Sequence, residues 1–146
     1  MADIHIDDFY RDVALIMLNL YSNFPRAGVL YVEDVCGPDS PDEYGLHSER
    51  FQACFSAMVW LAEQGYIQFH ETVREEALDQ AVLTQRGFLL LSSRSELALG
   101  LPEEEEDGLP PSVMEHSMTN VTQIRQALKS RSSITMRQVM HYLLSV

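Results

Sequence analysis

The clearest pattern in the chain lies between Ser48 and Phe69. Phe51, Phe55, Met58 and Ala62 recur there at helical spacing as far as Gln64-Gly65, after which Tyr66-Ile67-Gln68-Phe69 turns to alternation. A helix running directly into a strand is predicted, closed at Gly65, because a helix C-terminus is most readily ended by a residue that takes positive φ. Upstream, Asp7 or Asp8 can cap a helix through FYRDVALIMLNLYSNF, with Phe9, Val13, Ile16, Met17 and Leu20 supplying a broad apolar face. Pro25 and Gly28 break this helix. Val29 to Val32 reads as a short strand, Glu33 to Cys36 as one helical turn, and Gly37 to Gly45, with two prolines and two glycines, as a long loop.

Beyond the central stretch, His70 to Gln80 reads as a polar connection to a returning strand at Ala81-Val82-Leu83, which makes a hairpin. Thr84 is placed to cap a helix that runs to Ser92, although Gly87 weakens its interior. The composition then shifts over 94–111 to an acidic stretch, Glu103 to Asp107, accompanied by three prolines. Self-repulsion and proline both favour an extended linker. A helical region opens at Ser112, with Met114, Met118, Val121, Ile124 and Leu128 at near-heptad spacing. A second helix follows from Ser133 with Met136, Val139, Met140, Leu143 and Leu144. The organisation expected is one globular domain over 1–93, a linker over 94–111 and a helical arm over 112–146. No internal repeat is present.

Composition changes this picture through charge. At 146 residues, 46% hydrophobic and 22% charged, the chain has the make-up of an ordinary folded protein, but its net charge is −12. Residues 1–115 hold 22 acidic and 6 basic side chains, whereas residues 116–146 hold 4 basic and none acidic. A body this acidic argues against a large non-specific footprint on nucleic acid, whose binding rests on Lys and Arg contacts to phosphate. The acidic start MADIHIDD lacks the basic region of a signal peptide, no apolar run is long enough to span a bilayer, and Cys36 and Cys54 form no framework. A reduced, cytoplasmic protein without a membrane association is expected.

The order helix, short strand, short helix, long helix, hairpin, helix resembles that of the winged helix-turn-helix superfamily. Two strings carry the likeness over roughly residues 7 to 93. Leu61-Ala62-Glu63-Gln64-Gly65-Tyr66-Ile67 is similar to a recognition helix entering the wing, and Leu83-Thr84-Gln85-Arg86-Gly87-Phe88 to the wing's exit into the last helix. Their spacing leaves room for one hairpin. The resemblance implies a mainly α fold, a three-helix core with a β-hairpin wing, here followed by a C-terminal helical arm. For regulators like those of the MarR and PadR groups it implies DNA binding through the third helix and the wing, which in this chain falls on Arg50, Gln52 and Arg74. The surrounding residues oppose that role. The side of the third helix expected to face a groove, Gln52, Ala53, Ser56, Ala57 and Trp60, is largely apolar. The wing residues Glu71, Arg74, Glu75, Glu76 and Asp79 sum to −3, and Asp39, Asp42 and Glu43 lie in the preceding loop.

Ala53, Ala57 and Trp60 form a second apolar stripe on the third helix. Its cover is the C-terminal helices, a second copy of the chain, or a foreign protein partner. The arm positions Met118, Val121, Ile124 and Leu128 fit either a homodimer seam or an intrachain cap. Arg125, Lys129, Arg131 and Arg137 form the main cationic cluster, with the Glu103 to Asp107 run as its nearest complement in sequence. His5, His47, His70, His116 and His141 are scattered without metal-ligand spacing, Cys54 falls on the core face of its helix, and no phosphate-binding loop occurs. No cofactor, metal or catalytic residue is expected, so the protein binds rather than turns over a substrate. Two readings follow: a non-enzymatic interaction module that meets a protein through its third helix and acidic wing, or a dimeric DNA-binding transcriptional regulator.

Overall fold

Helix α1, Ile4–Asn23, buries Val13, Ala14, Ile16, Met17 and Leu20 on one face, as its periodicity requires, and buries Asp12 on the same side. The structure, a computed structural model, describes residues 4–95 and 119–146. Within them it contains β1 (Gly28–Tyr31), α2 (Val32–Cys36), α3 (Glu49–Glu63), β2 (Ile67–Gln68), β3 (Glu71–Val73), β4 (Ala77–Leu83) and α4 (Gln85–Ser92), then α5 (Asn120–Ser130) and α6 (Ser133–Ser145). The fold is mainly helical with a small four-stranded antiparallel sheet. The chain divides into two compact units, residues 1–88 and 89–146.

In the first unit, α3 starts where Ser48 Oγ accepts the Phe51 amide at 3.2 Å. It ends where Gly65, at φ 84°, lets its own N–H and that of Tyr66 reach the carbonyls of Ala62 and Leu61. The buried face is Phe51, Cys54, Ala57, Met58 and Leu61. Phe55 and Ala62, expected in the core, are only half-buried, because the inward stripe runs through Phe51, Cys54, Ala57, Met58 and Leu61 and so centres on the Cys54 side of the helix, with Phe55 and Ala62 at its edge.

Strand β4 lies at the centre of the sheet, with β1 on one edge and β2 and β3 on the other. One expectation needs correction here. Residues His70 to Gln80 are not a polar connection: Glu71–Val73 and Ala77–Leu83 form most of the hairpin, and the turn is short. Polar residues serve as strand because this part of the hairpin buries only Ala77 and Leu78 well. The short strand at Val29 joins the same sheet, and its register with β4 shifts by one residue between Gly28 and Leu30, where Gln80 sits at φ 52°. Leu30 and Leu78 pair on the core face at 1% and 0% exposure.

The exit from β4 is fixed by backbone contact. Thr84 Oγ1 donates to the Gly65 carbonyl at 2.6 Å and accepts the Gly87 amide at 3.1 Å, while Arg86 donates to the Gln64 carbonyl at 2.7 Å and lies 4.4 Å from the centre of the Tyr66 ring. Phe88 stacks on Phe24 at 4.3 Å between ring centres. In the second unit, Arg94 bridges to Thr119, and the Asn120 side chain donates to the Leu90 carbonyl at 2.7 Å. Helices α5 and α6 pack through Val121, Ile124, Ala127, Met136, Val139, Met140 and Leu143, and turn at Arg131, which takes φ 54°. The acidic linker residues expected over 94–111 lie outside the described residues from Glu96 onward, as do Met114 and Met118 of the arm.

Candidate functional site

Arg50, in the first turn of α3, donates from both terminal nitrogens to the two carboxylate oxygens of Asp12 at 2.6 Å each, and its Nε lies 3.6 Å from Asp8. Asp12 is 1% exposed. A carboxylate so deeply buried requires a paired cation, and the guanidinium meets it in a fork-on-fork geometry that a base edge would have to compete for. Asp12 holds Arg50 still more firmly protonated than usual. As a DNA reader Arg50 is therefore corrected to a structural residue. Gln52 is exposed, but its amide donates to the His47 carbonyl at 2.8 Å. Arg74 sits exposed at the tip of the hairpin.

The expected partner stripe on α3 also breaks up. Ala53 is exposed, Ala57 is only 3% exposed and belongs to the core, and Trp60 packs edge-on against Phe9 of α1, 5.2 Å between ring centres. At about 100° per residue Ala57 stands about 40° from both Ala53 and Leu61, so it lies at the border of the inward face, where packing buries it while Ala53 stays outside. Of the two alternatives for the arm, the burial of its described positions fits packing within one chain. Val121 and Ile124 are fully buried within a single chain and Leu128 is half-buried, so those positions do not form an open seam for a second copy.

What the sequence did not single out is a latch at His47. Its ring stacks on Phe51, 3.9 Å between centres. Nδ1 lies 3.0 Å from Asp39 and Nε2 2.9 Å from Glu76. Only the doubly protonated imidazolium can donate to both carboxylates, and its pKa is raised by the hydrogen bond to Glu76, reinforced by Asp39. Asp39 also accepts the Ser48 amide, which holds its own pKa down. Asp42 closes the intervening loop by accepting the amides of Tyr44 and Leu46 at 2.9 Å. The long loop is thereby tied both to the start of α3 and to the hairpin, with Tyr44 81% and Leu46 61% exposed. A histidine eight residues after an aspartate was visible in the sequence; Glu76, its partner 29 residues on, was not.

The hairpin carries the most unusual surface. The register places Tyr31, Ala77 and Val73 side by side on the face opposite Leu30 and Leu78, and places Asp79 and Glu71 side by side one step along. Val29, two residues before Tyr31, shares that face. Val29, Tyr31 and Val73 are 45%, 47% and 44% exposed. At the tip, Arg74 and Glu75 both take positive φ, at 51° and 57°, with the Glu76 amide donating to the Val73 carbonyl at 2.8 Å.

Titratable chemistry is sparse. Burial pushes the Cys54 thiol up, aided by the negative charge of Asp12, and burial also raises the Cys36 thiol; both stay protonated and poorly nucleophilic. Among the described residues no group of three His, Cys, Asp or Glu side chains converges to hold a metal, and no helix is long and apolar enough to cross a membrane. No protein-family model matches the chain, and no curated protein or solved structure is significantly similar to it.

Proposed function

We propose that the chain is a non-enzymatic interaction module of winged-helix type that binds a protein partner through the side of the molecule carrying the hairpin. Support for the winged-helix arrangement comes from the helix and strand order of residues 4–92 and from the sheet order β1-β4-β2, in which the first strand pairs with the last. The observation that carries the functional reading is the bidentate Arg50–Asp12 pair. Arg50 is the one cation on α3, and its commitment to a buried carboxylate leaves the outward side of that helix to Gln52, Ala53, Ser56 and Glu63. Arg86 is likewise occupied with the Gln64 carbonyl and the Tyr66 ring. A duplex approaching α3 and the hairpin meets Glu71, Glu75, Glu76 and Asp79 against Arg74. The field is repulsive to phosphate and attractive to a cationic protein surface.

One observation favours the second reading, a DNA-binding regulator: Arg74 projects from the hairpin tip, where a phosphate contact would be made. The two readings separate in a gel-shift titration with duplex DNA at low salt. No shift up to tens of micromolar protein is expected. A salt-dependent shift lost in Arg74→Glu overturns the protein-binding reading. Arg74 is the residue to reverse, because reversing Arg50 would place a second carboxylate beside Asp12 and disturb the fold.

A further inference from the structure

We infer that the outer face of the sheet is a docking surface for a cationic amphipathic helix of a protein partner. This rests on the protein-binding reading above and names its place and its chemistry.

In an antiparallel sheet, paired residues share a face, so the pairings Tyr31 with Ala77 and Ala77 with Val73 make a straight apolar row across three strands. Ala77, 1% exposed, is covered, while the two ends of the row stand 47% and 44% exposed. One pair further along, Asp79 and Glu71 form a parallel acidic row, with Val29 at its β1 end. Two strand spacings, roughly 9.5 Å, separate the ends of the apolar row. The rise from i to i+7 in a helix is about 10.5 Å. Apolar side chains at i and i+7 therefore reach Tyr31 and Val73 at the two exposed ends of the row, and Lys or Arg on the adjacent helical positions fall over Glu71 and Asp79.

Charge selects the sign of that partner. The hairpin bears four carboxylates, Glu71, Glu75, Glu76 and Asp79, against Arg74, and α2 follows Tyr31 with Glu33 and Asp34. An acidic amphipathic helix would bring like charges together, and a neutral one would leave this charge unmatched. The latch adds rigidity: the Val32 amide donates to the Glu76 carbonyl at 2.9 Å while the Glu76 side chain holds His47, so the strand next to the row is anchored on both sides. A pre-ordered face loses less conformational freedom on binding.

The test uses the full-length protein and a fluorescein-labelled 14-residue peptide of Leu and Lys with Leu at i, i+3, i+4 and i+7, read by anisotropy. Saturable binding is expected, weakened at least tenfold by Tyr31→Ser or Val73→Ser and several-fold by Glu71→Gln with Asp79→Asn, the latter with a shallower salt dependence. Ile134→Ser on α6, an apolar residue more exposed than either, is expected to leave it unchanged. Val73 lies on an edge strand, and circular dichroism of each variant verifies the fold. Equal binding of a peptide with Ser in place of Leu shows attraction to charge alone and overturns the inference. So does binding that survives Val73→Ser and Tyr31→Ser, or concentration-dependent dimerisation that Val73→Ser abolishes, which assigns the face to a second copy. Peptide binding mapped to α3 overturns the placement but leaves the protein-binding reading standing, whereas no peptide binding together with a duplex DNA shift overturns both.

Discussion

Arg50 grips both carboxylate oxygens of Asp12 at 2.6 Å and so joins the first turn of α3 to a fully buried position in the middle of α1. The pair, with Asp8 3.6 Å from Arg50 Nε, ties together the two longest helices of the first unit. It also commits the one cation of α3 to a buried carboxylate.

Asp12→Ala leaves the guanidinium partly buried without its carboxylate. A fully buried pair broken this way costs about 3–5 kcal/mol; Arg50 is a third exposed and recovers water, so about 2 kcal/mol is expected. Urea denaturation gives the value. Asp12→Leu with Arg50→Leu together is expected to cost less than either single change, because no charge is then left alone.

The His47 latch predicts a pH dependence on both sides of neutrality. A pKa raised in the folded state means that the imidazolium's contribution is complete below its unfolded value near 6.5 and disappears as pH rises through the folded value. Asp39, lowered in the folded state, contributes above about 3.8 and loses that contribution as pH falls through its folded value. Thermal melts from pH 5 to 9 are expected to show an alkaline decline that is absent in His47→Gln.

Gly87 offers a prediction whose sign distinguishes local from tertiary control. Helix propensity alone makes Gly87→Ala stabilising by about 1 kcal/mol. A Cβ at this position runs into the Tyr66 carbonyl oxygen, with the Tyr66 carbonyl carbon at 3.1 Å and Leu83 Cδ2 at 3.3 Å. Backbone cannot step aside as a side-chain end can, so destabilisation of about 3 kcal/mol is expected in denaturant melts.

Arg74 and Glu75 occupy a turn conformation that Asn-Gly adopts with less strain. Arg74→Asn with Glu75→Gly is expected to stabilise the protein by about 1 kcal/mol, measured by chemical denaturation. The same double variant is expected to leave the binding of a cationic helix to the Tyr31–Val73 row nearly intact, because neither residue belongs to it.

What the sequence alone determined were the local features. The helical period placed α1 and α3, Gly65 ended α3 as a residue with positive φ must, Thr84 marked a helix start, and the excess of carboxylates announced an acidic surface. These depend on neighbours within one or two helical turns. Tertiary structure decided the rest. Whether Arg50 faced solvent or Asp12, 38 residues away, whether Ala57 or Phe55 turned inward, and whether His70 to Gln80 were loop or strand all depended on distant partners. The apolar row from Tyr31 to Val73 joins residues 42 positions apart through Ala77, and neither strand holds enough alternation to announce it. Periodicity reports the face a residue shares with its neighbours; only pairing across the sheet and between helices reports what that face meets.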